Sequence, residues 1–205
     1  MAHPKRAGWV PQLADAIAAD VQVVWDRHND RWDTGRRSLL AYNKDATHHL
    51  VVQDDALVCE DLTKAVTGLV DHTGDHPVSL YMGRLKKPHT KMAVAYHRSV
   101  QKQWSFVAAA GPFWGVAILL PVAHIERVVA HGDGLNIPNY DLRIADWYRR
   151  QKLLCWYTVP SLVQHRNGTS NPSLIPNRTG KNRYAHHYIG GGNSALSVDW
   201  SATPR

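Results

Sequence analysis

The stretch that most limits how this chain can fold is Ala46-Thr-His-His-Leu-Val-Val-Gln-Asp-Asp-Ala-Leu-Val-Cys-Glu-Asp-Leu62. A β-branched apolar run, Leu50-Val51-Val52, stops at Gln53-Asp54-Asp55, and apolar residues resume after it. A short apolar run bounded by polar residues reads as a buried strand, and such runs are typical of parallel sheets. Open α/β sheets bind ligands at the carboxyl ends of their strands. Two adjacent carboxylates there are costly to bury unless a cation compensates them. Hard oxygen ligands suit Mg²⁺ or Mn²⁺, and such ions commonly hold substrate phosphates as well. The pattern therefore predicts a strand-end carboxylate pair, Asp54 and Asp55, that holds a metal and through it a diphosphate. The competing reading is a surface turn with two solvated aspartates.

The remaining pattern supplies elements around that strand. Apolar residues at Val10, Leu13, Ala14, Ile17 and Ala18 have helical spacing. Val21 to Trp25 reads as a strand with Asp26 at its end, Asp30 to Gly35 as a polar loop, and Gly35 to Tyr42 as a helix opened by Arg36 and Arg37. Asp61 to Val70 reads as a helix with Asp61 as its cap, Val78 to Met82 as a strand, and Gly83 to Tyr96 as a basic loop. Val116 to Leu120 is a core strand, Val122 to Ala130 a helix, and Tyr140 or Asp141 opens a helix running to about Lys152. Trp156 to Val159 is a short strand stopped by Pro160. The order predicts an α/β domain over residues 1–165, with a mostly parallel sheet flanked by helices. Residues 166–205 are predicted to form a loop-rich basic extension, with Gly190-Gly-Gly192 as a flexible hinge. The chain opens on a helix with no strand before it. Either the first strand is absent, or the start codon is misplaced and the strand lies upstream.

Composition bounds the class. A chain of 205 residues suffices for one α/β core, and 44% apolar with 20% charged residues marks a globular protein. The net charge of +7 favours an anionic partner, either nucleotide phosphates or nucleic acid. Cys59 and Cys155 are too few for a disulfide framework and are expected to be reduced, buried and cytosolic. No secretory signal is visible, and the expected location is cytoplasmic. The uncharged stretch from Phe106 to Ala123 could be taken for a membrane span, but Gly111, Pro112, Gly115 and Pro121 punctuate it. It is expected to be a turn and a core strand, with no membrane contact.

Two further constellations bear on chemistry. A strand, a proline stop, an apolar triplet and then His165 place an imidazole at the sheet edge, where it can join carboxylates on Mn²⁺. With 13 histidines in the chain, an ordinary surface histidine is the plainer alternative. Asp141, after Asn139-Tyr140, is either an N-cap or a general base presented at a helix start.

His3-Pro4-x-Arg6, Trp25-Asp26, Trp32-Asp-Thr-Gly-Arg-Arg37, His49-Leu-Val-Val-Gln-Asp-Asp-Ala56, Pro77-Val-Ser-Leu-Tyr81, Gly115-Val-Ala-Ile-Leu-Leu-Pro121 and Pro160-Ser-Leu-Val-Gln-His165 span most of residues 3 to 170. In this order and spacing they resemble the small GT-A glycosyltransferases of actinobacterial phages, which are related to lipooligosaccharide-type transferases. The resemblance implies a GT-A-like, Rossmann-like fold and a sugar-transferring activity with a nucleotide-diphosphate sugar as donor and Mn²⁺ or Mg²⁺ as cofactor. The acidic element looks like the family's Asp-x-Asp motif with Gln53 in the first acidic place. By resemblance, Asp55 ligates the metal, His165 completes the protein ligands, and Asp54 is a further ligand or, with Gln53, faces the donor ribose. Asp26 and Arg36 would contact the nucleotide, and Asp141 matches the position of the base in inverting members.

The acceptor is read from the basic loop and tail and from Tyr81, Tyr96, Trp104, Tyr184 and Tyr188. Basic grooves with aromatics suit nucleic acid, through phosphate contacts and base stacking. A hydroxylated base in bacteriophage DNA is thus the leading expected acceptor, with DNA modification as the outcome; phage structural protein is the rival. From a different class, a basic nucleic-acid-binding module or a metal nuclease using the same aspartates stays open.

Overall fold

A computed structural model describes residues 1–85, 90–110, 114–166, 184–190 and 192–204. Strand β1 (His48–Val52) is the predicted apolar run, extended by its two histidines. It leads through the Gln53-Asp54-Asp55 turn into β2 (Ala56–Val58). Further on come β3 (Val78–Ser79), β4 (Phe106–Ala109), β5 (Ala117–Pro121), β6 (Cys155–Thr158) and β7 (Val163–His165). The helices are α1 (Val10–Ile17), α2 (Arg31–Leu40), α3 (Leu62–Thr73), α4 (Thr90–Gln101), α5 (Val122–Asp133) and α6 (Tyr140–Arg150).

The main sheet has the order β1-β5-β3-β6-β4. It is mixed: β5 runs antiparallel to both β1 and β3, β4 antiparallel to β6, and β3 and β6 are parallel. The mostly parallel sheet expected from the apolar runs is thereby corrected. Every residue of β5 and β6 is buried, because helices cover both faces. A strand buried on both faces reads as a continuous apolar run whichever way it points, so composition alone did not give its direction.

Alternation along the strands sorts side chains into two cores. Ala117 and Leu119 of β5 and Trp156 of β6 face a cluster with Ile17 of α1 and Leu62, Ala65 and Leu69 of α3. Ile118, Leu120 and Tyr157 face the other cluster, with Leu39 of α2, Met92 of α4, Ile125 and Val128 of α5, and Ile144 and Tyr148 of α6. The result is a helix–sheet–helix sandwich. The uncharged stretch from Phe106 to Ala123 holds β4 and β5, and no helix among the described residues is long and apolar enough to cross a membrane. Both cysteines are free and buried.

Several local expectations change. The loop expected at 30–35 is the first turn of α2, where the Asp30 carboxylate caps the Trp32 and Asp33 amides at 2.8 and 3.1 Å. The basic loop expected to Tyr96 gives way to α4 at Thr90, because Met92 and Ser99 bury one face of a helix; Lys86 and Lys87 lie outside the described residues. The Val21–Trp25 strand is reduced to one bridge at Trp25. Asp61 stands at the N-cap position of α3 but bonds Lys64 and Ser194 instead of the helix amides. The described tail residues are built into the fold. Trp200 and Ala195 belong to the α1/α3 core, and the His186 amide donates to the Met82 carbonyl at 2.8 Å. Of the glycine triplet read as a hinge, Gly191 lies outside the described residues.

The chain does not begin at a helix. Met1–His3 is extended between two segments. The Ala2 amide donates to Val24 O at 2.8 Å and the Asp26 amide to Ala2 O at 2.7 Å. On the other side the N-terminal amine donates to Val52 O at 3.0 Å and the Asp54 amide to Met1 O at 3.1 Å. The bridge between Ala2 and Trp25 is parallel. Asp26, His3 and Asp54 therefore emerge together at one edge.

Candidate functional site

At that edge the backbone leaves the Met1–His3 strand through His3-Pro4 into a 3-10 helix, Pro4–Trp9. Proline suits the first turn of a helix, since it lacks an N–H that would be unsatisfied there. The turn swings Arg6 over the carboxylates. Its NH2 lies 2.7 Å from Asp54 Oδ1, its Nε donates to Asp54 Oδ2 at 3.0 Å, and its NH1 meets Asp55 Oδ2 at 2.5 Å. The His3 amide adds a bond to Asp54 Oδ2 at 2.7 Å. Asp54 and Asp55 are each 3% exposed, and the Arg6 guanidinium offsets part of their buried charge, where the sequence reading expected a metal ion to do so. Burial pushes the Asp54 carboxyl above its ordinary value, and the His3 amide and Arg6 oppose that shift without cancelling it.

Asp55 has a second partner. The β2–β7 ribbon pairs Ala56 with His165, and the Arg166 amide donates to the Asp55 carbonyl at 2.7 Å. This register sets His165 Nε2 3.3 Å from Asp55 Oδ2. His165 Nδ1 lies 3.0 Å from the Arg166 carbonyl, which can only accept, so Nδ1 carries the proton. In the neutral ring, Nε2 then turns its lone pair toward a carboxylate oxygen, an arrangement that calls for a proton or a cation between them. A backbone-fixed imidazole beside a carboxylate is also how proteins orient a metal-binding histidine. Asp55 Oδ1 is buried and has no hydrogen-bond partner among the described residues. The Arg166 guanidinium stacks over Trp9 at 5.0 Å.

These donors fit a divalent cation held by Asp55 and His165 and completed by substrate oxygens. Asp54 fits less well as a ligand, because both of its oxygens are engaged by Arg6 and His3. Among the described residues no cluster of three acidic, histidine or cysteine side chains is set to hold an ion by itself.

The other predicted residues divide. The Gln53 side chain reaches the hydroxyl of Tyr140, the first residue of α6, and that hydroxyl also donates to the Gly115 carbonyl. Gly35 of α2 and Gly115 both abut the Tyr140 ring: a methyl group on them would lie 2.7 and 2.8 Å from ring carbons. Asp141 follows directly. It is not the N-cap of α6, a place taken by Asn139, whose side-chain oxygen accepts from Arg31 at 2.6 Å. Asp141 Oδ1 accepts from the Leu142 amide at 2.9 Å, and burial raises its carboxyl above the ordinary range, with backbone amides including Gly115 opposing. Asp26 caps its own turn, accepting from the His28 amide at 3.2 Å, on the extended segment next to Met1–His3. Arg36 is spent elsewhere: its Nε contacts both oxygens of Asp133 at 3.0 Å, on an exposed face between α2 and α5.

Sequence reasoning missed Arg6, His3 and Tyr140. His3-Pro4-x-Arg6 entered only among the motifs that carry the resemblance, with no role for either side chain, although an extended residue before proline followed by an arginine was a readable signal. Tyr140 was taken as one of two places where a helix opens. In comparisons with known proteins, no family model and no curated protein matched the chain.

Proposed function

We propose that this protein transfers a sugar from a nucleotide-diphosphate donor to a hydroxyl acceptor, with Mn²⁺ or Mg²⁺ held by Asp55 and His165. The observation that supports it is the convergence of those two side chains at a strand-end edge, one carboxylate oxygen buried and open and one imidazole lone pair directed at its neighbour. The parallel neighbours of Met1–His3 favour a GT-A-like nucleotide site at the same edge, with Asp26 on the adjoining segment. When bound, the ion would supply neutralisation of charge developing on the departing diphosphate.

The chain's own residues have separable tasks. Asp55 and His165 hold the ion. Asp54 fixes Arg6, and Arg6 supplies the positive charge at the site that was expected from Arg36. Gln53, tied to Tyr140, orients the turn that carries both aspartates. Asp141, raised by burial and carried next to Tyr140, accepts the acceptor hydroxyl proton on its carboxylate if transfer inverts the sugar. A nuclease using two metals would need Asp54 as well as Asp55, and Asp54 is committed to Arg6.

For the acceptor we favour a hydroxylated base in DNA over a phage structural protein. Arg84 lies over Tyr184 at 5.3 Å and Arg98 over Trp104 at 5.6 Å, and Tyr184 is 40% exposed. Arginines set over aromatic rings suit phosphates and unstacked bases.

The test is hydrolysis and transfer across a panel of nucleotide sugars, with and without Mn²⁺. The wild type should turn over one of them only with metal, and Asp55→Ala should lose about 100-fold or more. Full activity in that variant overturns the assignment.

A further inference from the structure

Arg6 commits one N–H from each of its three guanidinium nitrogens to the carboxylate pair. Its side chain is 18% exposed against 2% and 4% for the two aspartates, so it closes the pair off from solvent. Two carboxylates against one guanidinium leave a single negative charge, which the N-terminal amine of Met1 beside Asp54 can only offset further. A divalent cation arriving at Asp55 would reverse that sign, and it would do so beside a fixed like charge, since Arg6 shares Asp55 Oδ2 with His165. Arg6 cannot relieve the conflict by losing its proton. It is held in place by its own contacts from Nε and both terminal nitrogens to Asp54 and Asp55. A ligand that brings negative charge alongside the cation removes the conflict, and the outward side of the guanidinium is then a donor surface for it.

We propose that Arg6 makes cation binding at Asp55–His165 conditional on a diphosphate. The protein alone holds the ion weakly. A diphosphate supplies the missing charge, and each ligand then strengthens the other by the same factor, as linkage requires. This rests on the metal-dependent reading above, and it adds that Arg6 couples metal to donor, so that a bare ion does not fill the site.

The experiment is Mn²⁺ binding to the full chain, followed by the paramagnetic resonance signal of free Mn²⁺. It is run with and without inorganic pyrophosphate and corrected for the Mn²⁺–pyrophosphate complex in buffer. Wild type should bind Mn²⁺ about tenfold or more tightly with pyrophosphate, within the usual range of coupling between sites. Arg6→Met should bind Mn²⁺ alone more tightly than wild type does and lose most of the coupling. Arg6→Lys keeps the charge and should keep the coupling. Equal wild-type affinity with and without pyrophosphate overturns the inference, as does a folded Arg6→Met that binds Mn²⁺ no better than wild type. Should Arg6→Met fail to fold, wild type and Arg6→Lys decide it: coupling in both supports the inference, and coupling lost in Arg6→Lys overturns it. If no Mn²⁺ binds under any condition, the metal-dependent reading itself falls.

Discussion

Arg6 and Arg36 make the same kind of bond in different surroundings. Each sets a guanidinium against carboxylate oxygens near 3 Å or closer. Arg6 faces two aspartates buried from water, whereas Arg36 and Asp133 have side chains 40% and 42% exposed. In the exposed pair water competes for both charges and the attraction is small. In the buried pair neither carboxylate has that alternative, so removing the arginine leaves charge stranded in a poor solvent. The presence of an arginine–acid pair therefore says little about its weight; the exposure of the acid decides it.

The largest effect expected from breaking the comparison is at Arg6. Arg6→Met should lower unfolding stability by about 3–5 kcal/mol, the usual consequence of orphaning a buried charge. Adding Asp54→Asn should recover part of that loss, since burial already outweighs Arg6 in setting the Asp54 carboxyl. Denaturant melts of the two variants measure both.

Acid tests burial without touching either arginine, whose guanidinium stays charged throughout. His48, His49 and His124 are all lowered from an ordinary value near 6.5, with burial the first cause in each. The unfolded chain then takes up protons before the folded one. Stability should be fully present above about pH 6.5 and should fall as pH drops from there toward the folded-state values. Melting temperatures from pH 7.5 to 5.5 report the slope, and a rise on acidification would contradict it.

The smallest effect sharpens the other side. Arg36→Met should change stability by no more than about 1 kcal/mol, because its pair is exposed. A loss as large as that of Arg6→Met would end the contrast.

Much of the site was legible because it depends on local pattern. The abrupt end of Leu50-Val51-Val52 in acids placed Asp54 and Asp55 at a strand end, and the proline stop before Ser161 placed His165 at an edge. Sheet direction was not legible, since β5 is buried on both faces and hides its orientation. The role of Arg6 depends on an extended segment only three residues long, hydrogen-bonded on both sides to segments far along the chain. Periodicity needs more residues than that to register. Arg36 misled for the opposite reason: Trp32-Asp-Thr-Gly-Arg-Arg37 is a packing motif, in which Trp32 rests on Gly132 of α5 and bonds Asp133, and Gly35 makes room for Tyr140.

That room has a mechanical consequence. Gly35 and Gly115 grip one phenol ring from two separate elements, so the ring can neither tip nor slide without pushing backbone. The carboxylate of the very next residue is thereby indexed to the loop ahead of β5 and to the Gln53 turn, and through them to the aspartates. Two absent methyl groups act as the mortise for a single tenon, and α2, α6 and the loop ahead of β5 are keyed into one frame.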